Sequence, residues 1–179
     1  MPNPPDIYLR ALEPDDYKVS IHWRQDDAIW KQLLGEKHFV SAEYEKRWMA
    51  ESVSIQKTDI RLGICLESDQ RLIGLTSLAS IDMVHRSART QIMIGDKSYW
   101  GLGIGTQVLQ KLLTFAFDER GLERIWCRIL MSNLASQRLH RKAGYVQEGL
   151  MRKAAFKNGH FQDVVLMAIL REDYRRSLV

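Results

Sequence analysis

The spacing of the apolar residues predicts one short strand and two helices in the first third of the chain. Residues 7–9 form a short apolar run, which is typical of a strand. Pro14–Asp16 suit a helix start, because proline fits the first helical position and acidic residues favour the first turn. Ser41 has the side chain of an N-cap for a second helix, which runs through Trp48. Residues 26–37 follow no regular period.

From residue 60 onward, predicted strands and helices alternate. Two apolar segments, residues 60–66 and 72–78, flank a polar loop of hairpin length. The later elements are a strand at 88–94, a helix carrying Val108, Leu109, Leu112, Leu113, Ala116 and Phe117 up to Gly121, a strand at 124–130, a helix at 134–142 ended by Gly144, and strands at 145–156 and 161–169. The last two strands flank Asn158-Gly159, a strong hairpin signal. This order predicts an α+β protein, a mixed sheet with helices on both faces.

The composition is that of a globular protein with a mildly basic surface. Of the 179 residues, 45% are hydrophobic and 27% are charged, and the formal net charge is +4. The length suits one domain over residues 1–179. The basic residues are scattered, and no apolar run approaches the ~18–20 residues of a membrane span, so we expect neither a nucleic-acid nor a membrane partner. Cys65 and Cys127 are typical of buried free thiols, and with no export pattern at the N-terminus they favour a cytoplasmic protein.

Residues 98–106 contain three glycines spaced by two and lie between a predicted strand and a predicted helix. Gly101, Gly103 and Gly105 leave one edge of this turn without side chains, so that backbone N–H groups can approach a ligand closely. These groups lie at the positive end of the helix macrodipole, where the first-turn donors are unpaired. A pyrophosphate fits that environment. The alternative is a glycine turn that only connects two elements.

The helix predicted at residues 134–142 has one polar face. At positions i, i+3, i+4 and i+7, this face carries Asn133, Ser136, Gln137 and His140. Ala135 and Leu139 are expected to point toward the core. A solvated polar face, with Asn133 acting only as an N-cap, is the alternative. The order of glycine turn, long helix, strand and then this helix favours a functional site.

Both motifs resemble the signature of the GNAT superfamily of N-acetyltransferases. Residues 100–105, Trp-Gly-Leu-Gly-Ile-Gly, match the family's acetyl-coenzyme A pattern Gln/Arg-x-x-Gly-x-Gly/Ala except at the first position. Residues 133–145 resemble the family's Asn-x-x-Ser…Tyr-x-Lys-x-Gly-Phe segment, with His140 where the family usually has tyrosine. The tryptophan at the first position and the tail are similar to the branch of ribosomal-protein N-terminal and spermidine acetyltransferases. The front of the chain resembles amino-sugar acetyltransferases.

The resemblance implies the GNAT acyl-CoA N-acyltransferase fold, with acetyl-CoA as cosubstrate and no metal. This fold has a mostly antiparallel sheet of about seven strands, splayed between strands four and five. Strand backbone would pair with the pantetheine arm, and the glycine turn would hold the pyrophosphate. The cofactor-binding residues implied are Ile92, Met93, Ile94, Trp100, Gly101, Leu102, Gly103, Ile104, Gly105, Thr106, Asn133 and Ser136. Arg141 or Lys142 would meet an outer phosphate, with a solvated charge as the alternative.

The implied reaction is direct attack of a neutral primary amine on the thioester. The backbone N–H of Ile94 would stabilise the charge on the carbonyl oxygen. His140 would donate a proton to the leaving thiolate in place of the usual tyrosine, and the alternative is that it only contacts the sulfur. Related sequences often carry glutamate where Arg89 stands, so no base is assigned. The candidates are Glu51, Asp82, His85 and Gln91.

The resemblance implies an amino sugar, polyamine or other small amine as the acceptor, ahead of a protein N-terminus such as that of a ribosomal protein. The expected substrate-binding residues are Trp23, Arg24 and His85. The rings of Trp23, Trp30 and Trp48 suit a sugar or polyamine pocket, and core packing is the alternative. A second hypothesis is a regulatory module that binds acetyl-CoA without transferring acetyl groups. A homodimer is a candidate assembly.

Overall fold

The computed structural model describes residues 4–35, 39–54 and 58–176, which build one seven-stranded sheet with helices packed on it. The strands are β1 (Ile7–Ala11), β2 (Ile60–Leu66), β3 (Leu72–Asp82), β4 (Ser87–Ile94), β5 (Arg124–Leu130), β6 (Val146–Lys157) and β7 (His160–Leu170). The helices are α1 (Tyr17–Gln25), α2 (Asp27–Trp30), α3 (Ala42–Val53), α4 (Ile104–Thr114), α5 (Leu134–Lys142) and α6 (Arg171–Arg176). Short 3-10 turns at Pro14–Asp16 and Lys97–Tyr99 precede α1 and the glycine turn.

The sheet has the order β1-β2-β3-β4-β5-β7-β6, and β4–β5 is its one parallel pair among the described strands. That pairing lasts for three residues, from Ser87 opposite Arg124 to Arg89 opposite Trp126. Beyond Arg89, β4 stays paired with β3 as far as Ile94, while β5 continues alongside β7. The two strands therefore part in the middle of the sheet, which confirms the expected splay between strands four and five.

Local signals explain where several of the helical segments begin. Pro14 starts the first 3-10 turn, and the Ser41 side chain accepts a hydrogen bond from the Tyr44 amide to cap α3. The Asn133 side chain caps α5 in the same way through the Ser136 amide. Each of these starts was predicted from the sequence.

The core has two parts, one on each face of the sheet. The larger part packs α4 against the strands, with the fully buried Leu109, Leu112 and Phe117 at its centre. The smaller part lies under α1 and α2 and contains Trp23 and Cys65. No helix in the described ranges has both the length and the apolar character to cross a membrane.

Three features differ from the sequence expectations. α4 continues into a π-helical turn at Phe115–Glu119, and α6 at Arg171–Arg176 was not predicted at all. The polar face of α5 points inward, burying Gln137 and His140, because the Gln137 amide donates to the last carbonyls of β5 and the segment after it. Ala135 is exposed, so the expectation that it faces the core was wrong. The end of the irregular segment predicted at 26–37 lies outside the described residues.

Candidate active site

A cavity of about 820 Å³ opens where β4 and β5 part. One side is formed by β4, the glycine turn, the start of α4 and the polar face of α5. The other side is formed by α1–α3 and the face of the sheet that they cover. We call these the turn side and the helix side. Both lie in one continuous space, so two molecules bound from opposite sides would meet at the gap between the strands.

The glycine turn on the turn side has backbone conformations that require glycine. Gly103 is the N-cap of α4 and has φ +84°, a left-handed value that side chains disfavour. The amides of Gly101, Leu102 and Gly103 are not among the donors of the turn and cap hydrogen bonds in the described part of the chain. Gly105 has a different role: a Cβ there would lie 2.8 Å from the Leu139 side chain, so glycine lets α5 approach α4.

Unpaired backbone of β4 forms the floor of the gap. The Gly95 amide donates to the Ile73 carbonyl of β3, and hydrogen-bonding direction alternates along a strand. The backbone groups of Ile92 and Ile94 therefore face the gap, whereas those of Met93 face β3. Met93 lines the cavity, but its backbone groups are directed at β3 and not at the gap. The Trp100 indole donates to the Ile94 carbonyl at 2.9 Å, which leaves the Ile94 amide as the open group.

The start of α5 ties the two sides of the cavity together. While Asn133 caps α5 through its side-chain oxygen, its side-chain nitrogen donates to the Gln32 carbonyl at 3.1 Å. Lys157, a buried residue of β6, donates to the Gly35 carbonyl at 2.7 Å. These two bonds hold residues 31–35 over the cavity, a role for Asn133 that the sequence did not indicate.

His140 lines the cavity from the last turn of α5 and is 5% exposed. Its Nδ1 lies 2.8 Å from the Ser136 carbonyl oxygen, which can only accept, so Nδ1 carries the hydrogen. The ring packs edge-on against Tyr145, with 4.9 Å between centroids. Burial lowers the pKa of His140, although the bond to Ser136 acts in the opposite direction. The neutral imidazole therefore dominates at pH 7, with a bare Nε2 that accepts a proton.

Cationic side chains border the turn side. Arg138 and Lys142 line the cavity, whereas Arg141 is directed at Gln137 and Gln147 instead. Of the two residues expected near an outer phosphate, Lys142 lines the cavity and Arg141 does not. Arg138 was missed, because a cation on a helix gives no sign of the side it faces.

The helix side is organised around a buried ion pair. Arg24 Nε lies 3.0 Å from Glu45 Oε2, and Glu45, which is fully buried, also accepts from the Ser20 hydroxyl at 2.6 Å. The Arg24 guanidinium lies over the rings of Trp48 and Trp30, at 4.6 Å and 5.6 Å from their centroids. Arg24, Trp30 and Trp48 all line the cavity.

Two of the expected substrate-binding residues lie elsewhere. Trp23 is buried against Gly95, where a Cβ would come within 2.0 Å of the indole, and it belongs to the smaller core. His85 is exposed in the β3–β4 turn and pairs with Asp82 at 2.7 Å. That turn lies at the far end of the eight-residue β4, roughly 23 Å from the glycine turn at the usual rise of a strand. Neither residue lines the cavity, so the structure does not bring them to the site.

Of the four candidate bases, Gln91 alone lines the cavity.

Gln91 belongs to a row of polar side chains that crosses the helix-side face of the sheet. Arg61 of β2 is opposite Ser77 of β3, and Ser77 is opposite Gln91 of β4. Continuing the β4–β5 register beyond Arg89 and Trp126 puts Arg128 next in the row, across the gap. All four members line the cavity. The sequence did not predict this row, because its members become neighbours only through the register of the strands in the folded sheet.

Comparison with known proteins finds relatives that share this architecture. The family model of the acetyltransferase (GNAT) domain matches residues 6–146. The chain is 31% identical to the probable N-acetyltransferase YjcK of Bacillus subtilis, over 93% of this chain and 95% of that protein. It is 28% identical to a spermidine N(1)-acetyltransferase of Vibrio cholerae, over 94% and 95% of the two chains. A crystal structure of spermidine N-acetyltransferase from Vibrio cholerae with CoA and spermine superposes with a TM-score of 0.86 at 27% identity, covering 94% and 98% of the two chains.

Proposed function

The chain belongs to the GNAT acetyltransferase family, and from that premise we propose that the cavity between β4 and β5 is where a small primary amine receives the acetyl group of acetyl-CoA. The protein is an acetyl-CoA-dependent N-acetyltransferase. Acetyl-CoA supplies the acyl group as a thioester, already activated for attack. The roles of the individual residues, given below, are part of the proposal.

The observation that carries the proposal is the parting of β4 and β5 beside the glycine turn. The left-handed turn at Gly103 and the N-terminus of the 11-residue α4 offer amides and a positive dipole end to a pyrophosphate. The backbone of Ile92 and Ile94 faces the gap: Ile92 can pair with a pantetheine arm, and the Ile94 amide is left for the thioester end of the cofactor. Arg138 and Lys142 add positive charge at the same side of the cavity. The residues present therefore fit acetyl-CoA.

The amide of Ile94 is the group that would stabilise negative charge on the thioester carbonyl oxygen. Attack by an amine moves charge onto that oxygen, and a fixed N–H donor in a cavity shielded from water is effective there. The Ile94 carbonyl, which belongs to the following peptide, accepts a hydrogen bond from the Trp100 indole, and this bond helps to fix the backbone at Ile94. Trp100 thus supports the open donor, although it does not face the reacting atoms itself.

His140 would carry one proton from the amine to the sulfur. The amine proton moves to the bare Nε2 as the nitrogen–carbon bond forms, and returns to the thiolate as the carbon–sulfur bond breaks. The hydrogen bond from Nδ1 to the Ser136 carbonyl fixes the tautomer that this requires. Burial disfavours the charged ring, so a transient imidazolium is a ready proton donor. This role differs from the resting acid that the resemblance implied.

The roof of the cavity favours a small acceptor over a protein N-terminus. Residues 31–35 are held over the space by Asn133 and Lys157, as described above. A polypeptide end would have to thread beneath this segment, whereas a small amine needs only to enter beside it. The relatives named for spermidine are consistent with a small amine as the acceptor.

The replacement His140→Gln tests the proton-carrier role. Glutamine keeps a polar side chain of similar reach but cannot exchange a proton near neutral pH. Turnover, followed by free-thiol release from acetyl-CoA, is expected to fall by about 100-fold or more. The affinity for acetyl-CoA, measured by isothermal titration, should stay within about threefold.

The pH profile separates this role from a structural one. The ratio of wild-type to His140→Gln kcat/KM cancels the titration of the amine, which both proteins share. Because burial lowers the pKa of His140, that ratio should fall at a lower pH than it would with an ordinary, exposed imidazole as the proton carrier. A flat ratio across all pH values would remove His140 from proton transfer.

A screen of acceptors tests the alternative of a non-catalytic binding module. That alternative would be supported if the protein bound acetyl-CoA but released no thiol with polyamines, amino sugars, aminoglycosides or N-terminal peptides.

A further inference from the structure

The polar row on the helix side contains two cations and no anion. Arg61 and Arg128 stand at its ends, and between them the Ser77 hydroxyl donates to the Gln91 side-chain oxygen at 3.2 Å. Among all described residues that line the cavity, none is aspartate or glutamate. A polyamine carries several ammonium groups, and this lining offers no carboxylate to receive them.

The arginines on this face are only partly neutralised by the protein. Arg24 is paired with Glu45, and Arg61 is paired with Asp59 at 3.0 Å. Arg89 and Arg128 form no salt bridge within the described ranges, and Arg89 Nε is buried there without a hydrogen-bond partner. The pKa of Arg89 is lowered mainly by burial and, to a smaller extent, by the positive charge of Arg128, while the charge of Asp59 raises it. Because these two positive charges repel each other when the site is empty, an anion bound beside them lowers their electrostatic energy.

The aromatic rings of the helix side are also already occupied by cations of the protein. Arg24 and Arg61 lie over Trp48, at 4.6 Å and 5.8 Å from the ring centroid. Arg24 and Lys157 lie over Trp30, at 5.6 Å and 5.8 Å. An ammonium ligand gains from an open aromatic face. Here the chain's own cations take those positions, so the rings offer little to a polyamine.

We propose that the acceptor is a primary amine that also carries an anionic group, a phosphate or a carboxylate, which binds between Arg61 and Arg128, and that polyamines are poor substrates. This inference rests on the proposed function and adds to it the charge of the acceptor. In this arrangement Ser77 and Gln91 supply neutral hydrogen bonds along the row. The amine end of the acceptor then reaches the gap between β4 and β5, where Ile94 and His140 lie.

A panel of acceptors that differ in charge tests the charge requirement. It contains an amino sugar phosphate, the same amino sugar without phosphate, an α-amino acid or its ω-amino homologue, and spermidine. With full-length protein and saturating acetyl-CoA, the anionic members should have kcat/KM at least 10-fold above the neutral sugar and spermidine. The phosphate and carboxylate arms distinguish which anion is preferred. Spermidine as the best acceptor would overturn the inference and leave the proposed function intact.

The variant Arg128→Gln tests the site, with Arg152→Gln as its matched control. Arg152 is an exposed arginine of β6 that does not line the cavity. Loss of a charged hydrogen bond should raise KM for the anionic acceptor by about 10- to 100-fold, with little change in kcat or in KM for acetyl-CoA. The neutral sugar should be unaffected by either variant. An equal loss for neutral and anionic acceptors would contradict an anion site at Arg128.

A binding measurement covers the case in which no amine is turned over. Titration of the anionic amine into protein saturated with CoA should give heat for the wild type and Arg152→Gln, and about 10-fold weaker binding for Arg128→Gln. Binding of that kind without thiol release would overturn the proposed function while supporting the anion site. Absence of both binding and turnover for anionic amines would overturn the inference.

Discussion

The turn side and the helix side of the cavity are built from different kinds of atoms. The turn side presents mostly main-chain groups to the cavity: the amides of residues 101–103, the N-terminus of α4 and the gap-facing backbone of Ile92 and Ile94. The helix side is built mostly from side chains: the Arg24–Glu45 ion pair and the polar row from four strands. In the proposed function, these main-chain groups would bind the pyrophosphate and pantetheine of acetyl-CoA. Side chains can change without altering the fold, so they are suited to selecting the acceptor.

The difference predicts that mutations on the two sides act on different ligands. A change in backbone conformation on the turn side should affect acetyl-CoA binding and leave the fold of the helix side intact. A side-chain change on the helix side should affect stability or the acceptor and leave acetyl-CoA binding intact. Three variants test this separation, beginning with the one expected to have the largest effect.

Gly103→Val should weaken acetyl-CoA binding by more than about 100-fold. Gly103 has φ +84°, which a β-branched residue adopts only with strain, and the turn must shift to accept it. A shifted turn no longer directs its amides at the pyrophosphate. Isothermal titration with acetyl-CoA measures the loss, and thermal unfolding checks that the fold remains.

The matched control is Gly149→Val on β6. Gly149 lacks a positive φ, and a Cβ there would meet nothing within 4 Å. This variant should bind acetyl-CoA as tightly as the wild type. If Gly103→Val also bound it with unchanged affinity, the glycine turn would not be the pyrophosphate site, and the division between the two sides would fail.

Glu45→Gln should destabilise the protein by about 2–3 kcal/mol with little effect on acetyl-CoA affinity. Glu45 is fully buried, and its loss of charge leaves the half-buried Arg24 without its partner. Urea unfolding gives the change in stability. Glu43→Gln, an exposed position on the same helix, is the control and should cost less than about 1 kcal/mol. A loss of acetyl-CoA affinity in Glu45→Gln as large as in Gly103→Val would show that the two sides are not separable.

The same contrast explains what could be predicted from the sequence. On the turn side the signals are local: a glycine spacing, an N-cap at Asn133 and apolar residues at helical period. Alternation along residues 124–130 and the cap at Asn133 predict β5 and α5 to the residue, whereas the splay of the sheet was implied by the family resemblance and is confirmed by the short β4–β5 pairing. Helix α6 was not predicted because Arg171–Arg176 has little apolar period, and its one aromatic residue, Tyr174, packs onto the distant Phe117.

On the helix side the signals are not local, and the sequence expectations were weaker. Trp23 and Arg24 are adjacent in the chain, yet one is core and the other lines the cavity. Only its side-chain chemistry indicates His85 as a site residue, and the β3–β4 turn places it at the far end of β4. The polar row combines residues 61, 77, 91 and 128, which become neighbours only through sheet register. No spacing along the chain could reveal that row.

Lys157→Met should have the smallest effect and is the most delicate test of the separation. Burial lowers the pKa of Lys157, so the unfolded chain holds the proton more tightly than the folded one. At neutral pH the lysine is charged in both states, and its desolvation partly cancels the bond to Gly35 and the contact with Trp30. Methionine should therefore change stability at pH 7 by less than about 1 kcal/mol.

As pH rises toward the ordinary lysine value of about 10.5, the folded wild type releases its proton first and gains stability, a gain that Lys157→Met cannot show. Unfolding in urea at pH 7 and pH 10 measures this difference, and its absence would contradict the burial of the amine. Loss of the tether should also loosen residues 31–35 and raise KM for the acceptor severalfold, with acetyl-CoA affinity unchanged. The roof, residues 31–35, lies over both sides of the cavity. If Lys157→Met weakened binding of the acceptor and of acetyl-CoA equally, the roof would control access to the gap, and the two sides would not act separately.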